Sequence, residues 1–396
     1  MNDSRRDFIK KSMMGLAGLS VSSLKNLSFD RIDQVQQERH VIQRTLGRTR
    51  LKTSIVGIGV ADNSDLLPLA YDSGINFIFT SGDYRNGMPE REIGRFLKDK
   101  PRESFIIVDG VGSDKYINPI TLKFTRNFKK EMITEFLDRG LKRLGLDYID
   151  IYCLGNLAST DTTLHEPFLE VLRELKDRGR IRFIGGTTHR NEHIVLKAAA
   201  DSHIYDVIIT AYNFRMANRN RIKDAIAYAS AKGLGIVAMK TQAGVYWDSR
   251  RKNKINMKAA LKWVLQNNNI HTCIPSFSNM DEFEEDLSVM KDLTLTPAEL
   301  RDLKIKEGKM DDGLFCQQCG DCLAQCKNCF NIPAVMRSYM YAYSYGNIVK
   351  AKETLQSIDF TTNPCTDCEY CIVDCSMGFD IKKKVFDITN INEIPD

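Results

Sequence analysis

The stretch 131–155 reads EMITEFLDRGLKRLGLDYIDIYCLG and contains both repeating elements of the predicted fold. Residues 131–144 place apolar side chains at three- and four-residue intervals, which is typical of an amphipathic helix. Residues 148–155 form a mostly apolar run of strand-forming residues. The sequence therefore predicts a helix that leads directly into a buried strand.

The same alternation extends from about residue 44 to residue 304. Further strands are predicted at 54–60, 76–81, 104–110, 182–188, 207–212, 235–240 and 272–276. Helical patterns such as 166–178 and 257–266 lie between them. Eight apolar strands alternating with helices predict an α/β protein with a (β/α)8 barrel. A doubly wound open sheet, which usually has fewer strands, is the alternative.

A run of cysteines follows the predicted barrel. Two quartets share the spacing C-x2-C-x2-C-x3-C: Cys316, Cys319, Cys322 and Cys326, then Cys365, Cys368, Cys371 and Cys375. This spacing is typical of 4Fe–4S binding, in which the fourth cysteine of a run ligates the partner cluster. We therefore expect two 4Fe–4S clusters. One would be held by Cys316, Cys319, Cys322 and Cys375, and the other by Cys365, Cys368, Cys371 and Cys326.

Zinc and disulfide bonds are weaker interpretations of these cysteines. Zinc sites generally use two C-x2-C pairs, which a third cysteine at the same step fits poorly. Nine cysteines in one segment is an odd number, and Cys329 is interpreted as a spare thiol. The segment resembles bacterial two-cluster ferredoxins, although Lys327 and Ser376 stand where those proteins usually carry proline.

The N-terminal residues carry a second recognisable pattern. Residues 4–10 read SRRDFIK and precede a mildly apolar run at 13–24. They resemble a twin-arginine export signal over residues 1–30. The resemblance implies the twin-arginine translocase as a partner and a protein that is periplasmic or membrane-anchored outside the cytoplasm. The run is too short and too rich in Ser and Gly for a membrane span, so an uncleaved signal is the expected membrane contact. A basic N-terminus without this role is the alternative.

Charge excludes one class of partner. The net charge is only +5 over 396 residues, and no basic stripe is present. Nucleic-acid binding is therefore not expected.

Several short motifs of the barrel carry a family resemblance. They are LGRT (46–49), GINF (74–77), LGLDYIDIY (144–152) and RFIG (182–185). Together they resemble the aldo/keto reductases, in particular the subgroup with a C-terminal ferredoxin-like extension. The resemblance implies a barrel domain at 43–305 and an iron–sulfur domain at 306–396. It also implies that Asp147 and Asp150 serve the scaffold and not the chemistry.

Members of that family reduce carbonyls with NADPH. A tyrosine acts as the acid, and a lysine, an aspartate and a histidine assist it. Aligned with that pattern, Tyr84 occupies the acid position, whereas Phe79, Gly110 and Gly155 occupy the other three. An unassisted tyrosine has a pKa near 10 and needs a nearby cation to exchange protons readily at neutral pH. Ordinary carbonyl reduction is therefore not expected.

The nicotinamide pocket also departs from the family pattern. Thr187 and Thr188 stand at the usual Ser-Asn pair, and Tyr212 is a candidate aromatic wall. Ser276 and Asn279 are the candidate phosphate-binding residues, but acidic residues follow them where an arginine clamp would be expected. The residues therefore do not favour NAD(P) binding, which stays an open alternative.

Polar residues are predicted to gather at the mouth of the barrel, the face that carries function in this fold. Lys240 and Asp109 form a candidate proton-handling pair with Tyr84, and His189 is a candidate ligand or acid–base group. A solvated ion pair and a surface histidine without a role are the alternatives.

The combined features predict an exported iron–sulfur oxidoreductase that exchanges electrons with a small-molecule substrate or a redox partner protein. A non-catalytic barrel that docks a redox enzyme is one alternative. An NAD(P)H-dependent carbonyl reductase is the other.

Overall fold

The structure, a computed structural model, describes residues 41–59, 63–112, 114–304 and 313–393. The predicted export signal at 1–30 and the predicted domain boundary at 305–306 lie outside these residues. From Ile42 onward the chain forms one compact unit. Within the described ranges, no helix is long and apolar enough to cross a membrane.

A parallel sheet forms the centre of the molecule. In the described part of the chain it has seven strands that follow one another in sequence order, after a short antiparallel pair formed by β1 (Gln43–Thr45) and β2 (Lys52–Ser54). The seven strands are β3 (Phe77–Phe79), β4 (Ile106–Val111), β5 (Ile149–Leu154), β6 (Ile181–Thr188), β7 (Val207–Ala211), β8 (Gly235–Met239) and β9 (Thr272–Cys273).

The segment predicted as the first barrel strand closes this sheet. Val56 pairs with Cys273 of β9, and Ile58 pairs with Ile78 of β3, each in a parallel bridge. The amide of Gly57 donates to the carbonyl of Cys273 at 2.8 Å. One short segment therefore joins both edges of the sheet, and the predicted barrel fold is confirmed.

Helices follow the strands and surround them. They are α1 (Leu67–Asp72), α2 (Met88–Leu97), α3 (Glu131–Leu144), α4 (Thr160–Thr163), α5 (Glu166–Asp177), α6 (Glu192–Ser202), α7 (Arg219–Ala231), α8 (Met257–Leu265), α9 (Met280–Val289) and α10 (Pro297–Asp302). The predicted helix at 131–144 ends where Gly145 adopts a φ of 67° and its amide donates to the carbonyl of Leu141. Glycine accepts this left-handed conformation without a steric cost.

Strand side chains alternate between the barrel interior and the surrounding helices. Ile106, Val108, Ile151 and Cys153 belong to the packed interior. Because the period is two, Asp109, which follows Val108 in β4, faces the helices.

The C-terminal part is helical and packs around its own apolar core. Its elements are α11 (Asp321–Gln325), α12 (Ile332–Met340), a π-helical turn (Tyr341–Tyr345), α13 (Ile348–Gln356) and α14 (Ile381–Thr389). The π-turn is tied to the loop after β8, since the amide of Val245 donates to Ser344 Oγ at 2.9 Å. This part of the chain therefore covers the mouth of the barrel.

Candidate functional site

A cavity of about 280 Å³ lies between the barrel mouth and the C-terminal helices. The barrel contributes Tyr84, His189 and Lys240 to its lining. The C-terminal helices from Asp321 to Thr389, called the cover below, contribute Arg337, Tyr341 and Lys350. None of these three was singled out from the sequence. The cavity therefore joins the carboxyl ends of the strands, where barrel enzymes carry their chemistry, to the cysteine-rich part of the chain.

Tyr84 lies beneath helix α13. The Nζ of Lys350 lies 3.6 Å from the centre of the Tyr84 ring, within the range of a cation–π contact. Lys350 also pairs with Glu353 at 3.2 Å, and Glu353 accepts the amide of Arg85 at 2.7 Å. The cation next to Tyr84 thus comes from the C-terminal part.

Lys240 contacts a second tyrosine of the cover. It follows β8 and has a φ of 56°, which is uncommon for a residue with a side chain. Its Nζ donates to the hydroxyl of Tyr341 at 2.5 Å. Burial alone raises the pKa of Tyr341, but the charges of Lys240, Lys350 and Arg337 together bring that pKa below its ordinary value.

His189 also lines the cavity, next to the same cations. Burial, aided by the charges of Lys240 and Arg337, holds the pKa of His189 well below its ordinary value, so the neutral imidazole is favoured. Its Nδ1 is buried and has no hydrogen-bond partner within the part of the chain that the structure describes. His189 therefore contributes a neutral ring to the cavity wall.

The structure corrects the placement of Asp109. The Asp109 carboxylate packs against Gly140 of α3, so closely that a Cβ added to Gly140 would lie only 2.4 Å from it. It also approaches Glu90 of α2. Burial and the charge of Glu90 raise the pKa of Asp109 well above its ordinary value, which favours the neutral acid. The expected group of Asp109, Lys240 and Tyr84 therefore does not form, because strand alternation turns Asp109 away from the mouth.

The cysteines lie in two sets. Cys316, Cys319, Cys322 and Cys375 line one small pocket. Burial and the neighbouring thiols raise the pKa of Cys316 to about 12. In the other set, burial and then the thiols of Cys326, Cys368 and Cys371 raise the pKa of Cys365 to about 11.

Cys375 thus lies with the first quartet and Cys326 with the second, the grouping that crossed ligation requires, while the ligation itself stays a prediction. Each set of cysteines offers four thiols, the donor set that a 4Fe–4S cluster requires. Cys329 is exposed, and its sulfur lies near the backbone carbonyls of Cys326 and Lys327. The residues present therefore fit two clusters, with Cys329 outside both sets.

Comparison with known proteins accounts for both parts of the chain. Residues 46–259 match the aldo/keto reductase family, and residues 315–380 match a 4Fe–4S dicluster domain. The chain belongs to the aldo/keto reductase family. It is 27% identical over 292 residues to L-galactose dehydrogenase of Arabidopsis thaliana, covering 63% of this chain and 88% of that protein.

Other similar proteins match in part or in fold. The chain is 34% identical over 166 residues to the NADH-specific methylglyoxal reductase of Escherichia coli, covering 38% of this chain and 51% of that protein. An aldo-keto reductase of Bacillus halodurans superimposes with a TM-score of 0.53 at 21% identity, covering 67% of this chain and 96% of that one. The structural match supports the barrel fold alone.

Gly110 and Gly155, which we expect at the positions of the family's lysine and histidine, both line the cavity. A Cβ on Gly110 would lie 2.8 Å from the carbonyl oxygen of Cys153, and one on Gly155 would lie 2.9 Å from that of Val111. With this backbone, larger residues would have to displace the neighbouring strand. Tyr341 and Arg337 of the cover line the same cavity.

The candidate nicotinamide-binding residues do not form one pocket. Thr187 lines the cavity, and its hydroxyl accepts the amide of Asn156 at 3.1 Å. Thr188 is fully buried and donates to the carbonyl of Arg190 at 2.9 Å. The Tyr212 ring packs 5.1 Å from the Trp263 ring, and burial raises the pKa of Tyr212 to about 12. Tyr212 therefore packs against Trp263 and is not part of the cavity lining, so the aromatic wall expected from the sequence does not form at the cavity.

The candidate phosphate site is occupied by carboxylates of the chain itself. Ser276 lines the cavity, but the Asn279 side chain caps α9 by accepting the amide of Glu282 at 3.0 Å. The Glu282 carboxylate in turn accepts the amide of Ser278 at 2.8 Å. Burial, with the charges of Glu285 and Glu282, raises the pKa of Asp286 well above its ordinary value. The carboxylates of Glu282 and Glu285 line this end of the cavity, which disfavours the phosphates of NAD(P).

Proposed function

We propose that this protein is an exported iron–sulfur oxidoreductase that acts on a small molecule in the cavity at the barrel mouth. The observation that carries the proposal is the position of Cys316. This cysteine of the first set lines the same cavity as Tyr84, Lys240 and His189. Iron–sulfur sites adjacent to a polar cavity suit electron exchange with a bound molecule.

The proposed substrate class follows from the electron carrier and the cavity. When bound, a 4Fe–4S cluster supplies or takes up one electron at a time. A molecule served in this way must accept electrons singly, as conjugated carbonyl compounds such as quinones do. The cavity of about 280 Å³ suits a compound of roughly one or two rings.

The residues around the cavity supply the polar part of the proposed chemistry. Lys240, Arg337 and Lys350 place positive charge where a carbonyl oxygen gains negative charge during reduction. His189 adds a neutral ring to the cavity wall. The covering helices enclose the substrate and limit the water around it.

Neither alternative function is favoured by these features. A docking partner without catalysis would be expected to have a mouth filled by its own side chains, whereas this mouth holds a cavity. An NAD(P)H-dependent reductase needs a phosphate site, and Glu282 occupies that position. The E. coli relative is named for NADH, but the match covers only half of that protein.

The function is tested on anaerobically purified full-length protein reduced with dithionite. Adding a water-soluble naphthoquinone should reoxidise it with a rate that saturates with quinone concentration. Ala211→Phe fills the cavity and should slow this reaction at least roughly tenfold, because Ala211 lines the cavity wall. Absorption in the visible range follows the reoxidation.

Ferricyanide provides the control for that experiment. It should reoxidise Ala211→Phe as fast as the wild type, since Cys319 and Cys371 are exposed and allow direct access. Quinone rates that do not saturate, or that Ala211→Phe leaves unchanged, would contradict a substrate site in the cavity. The same preparation should show no saturable binding of NADPH, and saturable binding would restore the reductase alternative.

Export rests on the residues SRRDFIK at 4–10, together with the cluster-binding cysteines. The twin-arginine route carries proteins that are already folded around their cofactors. The full chain should therefore appear in the periplasmic or membrane fraction. Replacing Arg5 and Arg6 by lysine should leave it in the cytoplasm, and an unchanged distribution would count against export.

A further inference from the structure

Reduction of a conjugated carbonyl compound consumes protons as well as electrons. A quinone takes up two electrons and two protons, and an O–H bond forms at each oxygen. A group in the cavity that can hold and release a proton would supply one of these protons.

Tyr341 and Lys240 are placed for this role by two unusual pieces of backbone. Tyr341 begins the π-helical turn, a rare conformation that is frequent at functional sites. Lys240 adopts a left-handed conformation at the end of β8, and the side chain of Asn213 donates to its carbonyl at 2.9 Å. These conformations bring the Lys240 Nζ and the Tyr341 hydroxyl within 2.5 Å of each other at the cavity wall.

We propose that Tyr341 is the proton donor of this cavity and that Lys240 stabilises the phenolate left behind. The proposal rests on the proposed function, since it assigns the proton that the reduction consumes. The pair joins the two parts of the chain, because Lys240 belongs to the barrel and Tyr341 to the cluster-binding part. A complete site would then require the cover to be seated on the mouth.

The charges around the phenol support this assignment. Among the residues that the structure describes, three cations act on it: Lys240 after β8, Arg337 from α12 and Lys350 from α13. They outweigh the cost of burial and lower the pKa of Tyr341. Arg337 is paired with Asp114, and Tyr345 faces the phenol from the same turn with its ring centre at 6.0 Å. His189 nearby is held neutral and adds no charge.

The proposed step balances as follows for a quinone. The O–H bond of Tyr341 breaks, and its proton forms an O–H bond on one substrate oxygen. The second proton comes from water, which also returns a proton to the phenolate after the reaction. The two electrons come from a low-potential one-electron donor, which is dithionite in the test.

The pair is tested first without a substrate, by titrating tyrosine absorption of the cluster-loaded protein against pH. The difference between the wild type and Tyr341→Phe isolates Tyr341, which should ionise below the ordinary tyrosine pKa near 10. Lys240→Met should raise that midpoint by at least about one pH unit. Tyr343→Phe is the matched control, because the Tyr343 hydroxyl donates to the carbonyl of Asp387 instead. This variant should leave the ionisation of Tyr341 unchanged.

A quinone assay completes the test. Tyr341→Phe should slow naphthoquinone-dependent reoxidation by roughly tenfold or more and flatten its pH profile, while ferricyanide, which takes up no proton, reacts at the wild-type rate. Ionisation of Tyr341 at or above its ordinary value, or a quinone rate unchanged in Tyr341→Phe, would overturn the pair. Failure of the wild type to react with quinone would instead overturn the proposed function, and the titration would still decide whether the ion pair exists.

Discussion

Replacing Cys375 by serine is expected to remove the cluster associated with the first cysteine quartet, although Cys375 belongs to the second. Its thiol lies in the set of Cys316, Cys319 and Cys322. Iron should fall from roughly eight to roughly four atoms per chain, because loss of one thiolate opens one of the two sites. Iron and sulfide analysis of anaerobically purified protein, with electron paramagnetic resonance of the reduced state, measures the loss.

Cys329→Ser provides the matched control for this prediction. Cys329 is an exposed thiol three residues after a cluster ligand but outside both sets, so its removal should leave the iron content unchanged. Cys326→Ser should remove the other cluster, since Cys326 lies with Cys365. If Cys375→Ser lost the signals of the second quartet's cluster instead, the crossed arrangement would be wrong. Unchanged iron in Cys375→Ser would contradict its role as a ligand.

The barrel could be predicted from periodicity because each strand–helix unit repeats the same pattern of buried and exposed residues. An amphipathic helix must cover an apolar strand, and the sequence marks both, as in residues 131–155. In the first predicted strand, at 54–60, Ser54 ends β2, and the described residues 55–59 pair with the parallel sheet through bridges at Val56 and Ile58. Its pairing is confined to a short segment, and strand periodicity does not reveal how many hydrogen bonds a strand will form.

Asp109 shows how a correct strand can still give a wrong site residue. The strand was predicted at 104–110, but the side chain faces α3 and not the mouth. Ile106 and Val108 in the interior already set the register, and a shift of one residue reverses every side chain. The alternation of side chains along the strand indicates that Asp109 faces the helices. Its position near the end of the strand suggested the mouth and was the weaker signal.

The covering residues could not be placed from the sequence, because their position depends on how distant parts of the chain pack. Arg337, Tyr341 and Lys350 lie about one hundred residues or more after the last barrel residue they contact, and no local pattern ties them to the mouth. The tyrosine-rich stretch between the cysteine quartets was the one visible sign. Lys240 and His189 were identified from the ends of their strands, but the partner of Lys240 was not.

Asp150 carries the largest expected effect on stability, and Asp150→Ala should lower the free energy of unfolding by about 3 kcal/mol. The Asp150 side chain is fully buried and accepts hydrogen bonds from Arg102 at 2.6 Å, Arg182 at 2.8 Å and the amide of Ile107 at 2.9 Å. Alanine would leave that buried amide unpaired and two arginines without their shared partner.

Asp147→Ala is the matched control for Asp150→Ala, since Asp147 is an exposed carboxylate in the same motif and should change stability by no more than about 0.5 kcal/mol. Thermal melts of the cluster-loaded proteins at one scan rate compare the variants, because proteins with bound clusters commonly unfold irreversibly. Asp150→Ala should melt several degrees below the wild type while its remaining folded fraction keeps the iron content and quinone rate. Equal melting of both variants would show that Asp150 does not support the barrel, and normal melting with loss of the quinone rate would give Asp150 a role in the chemistry instead.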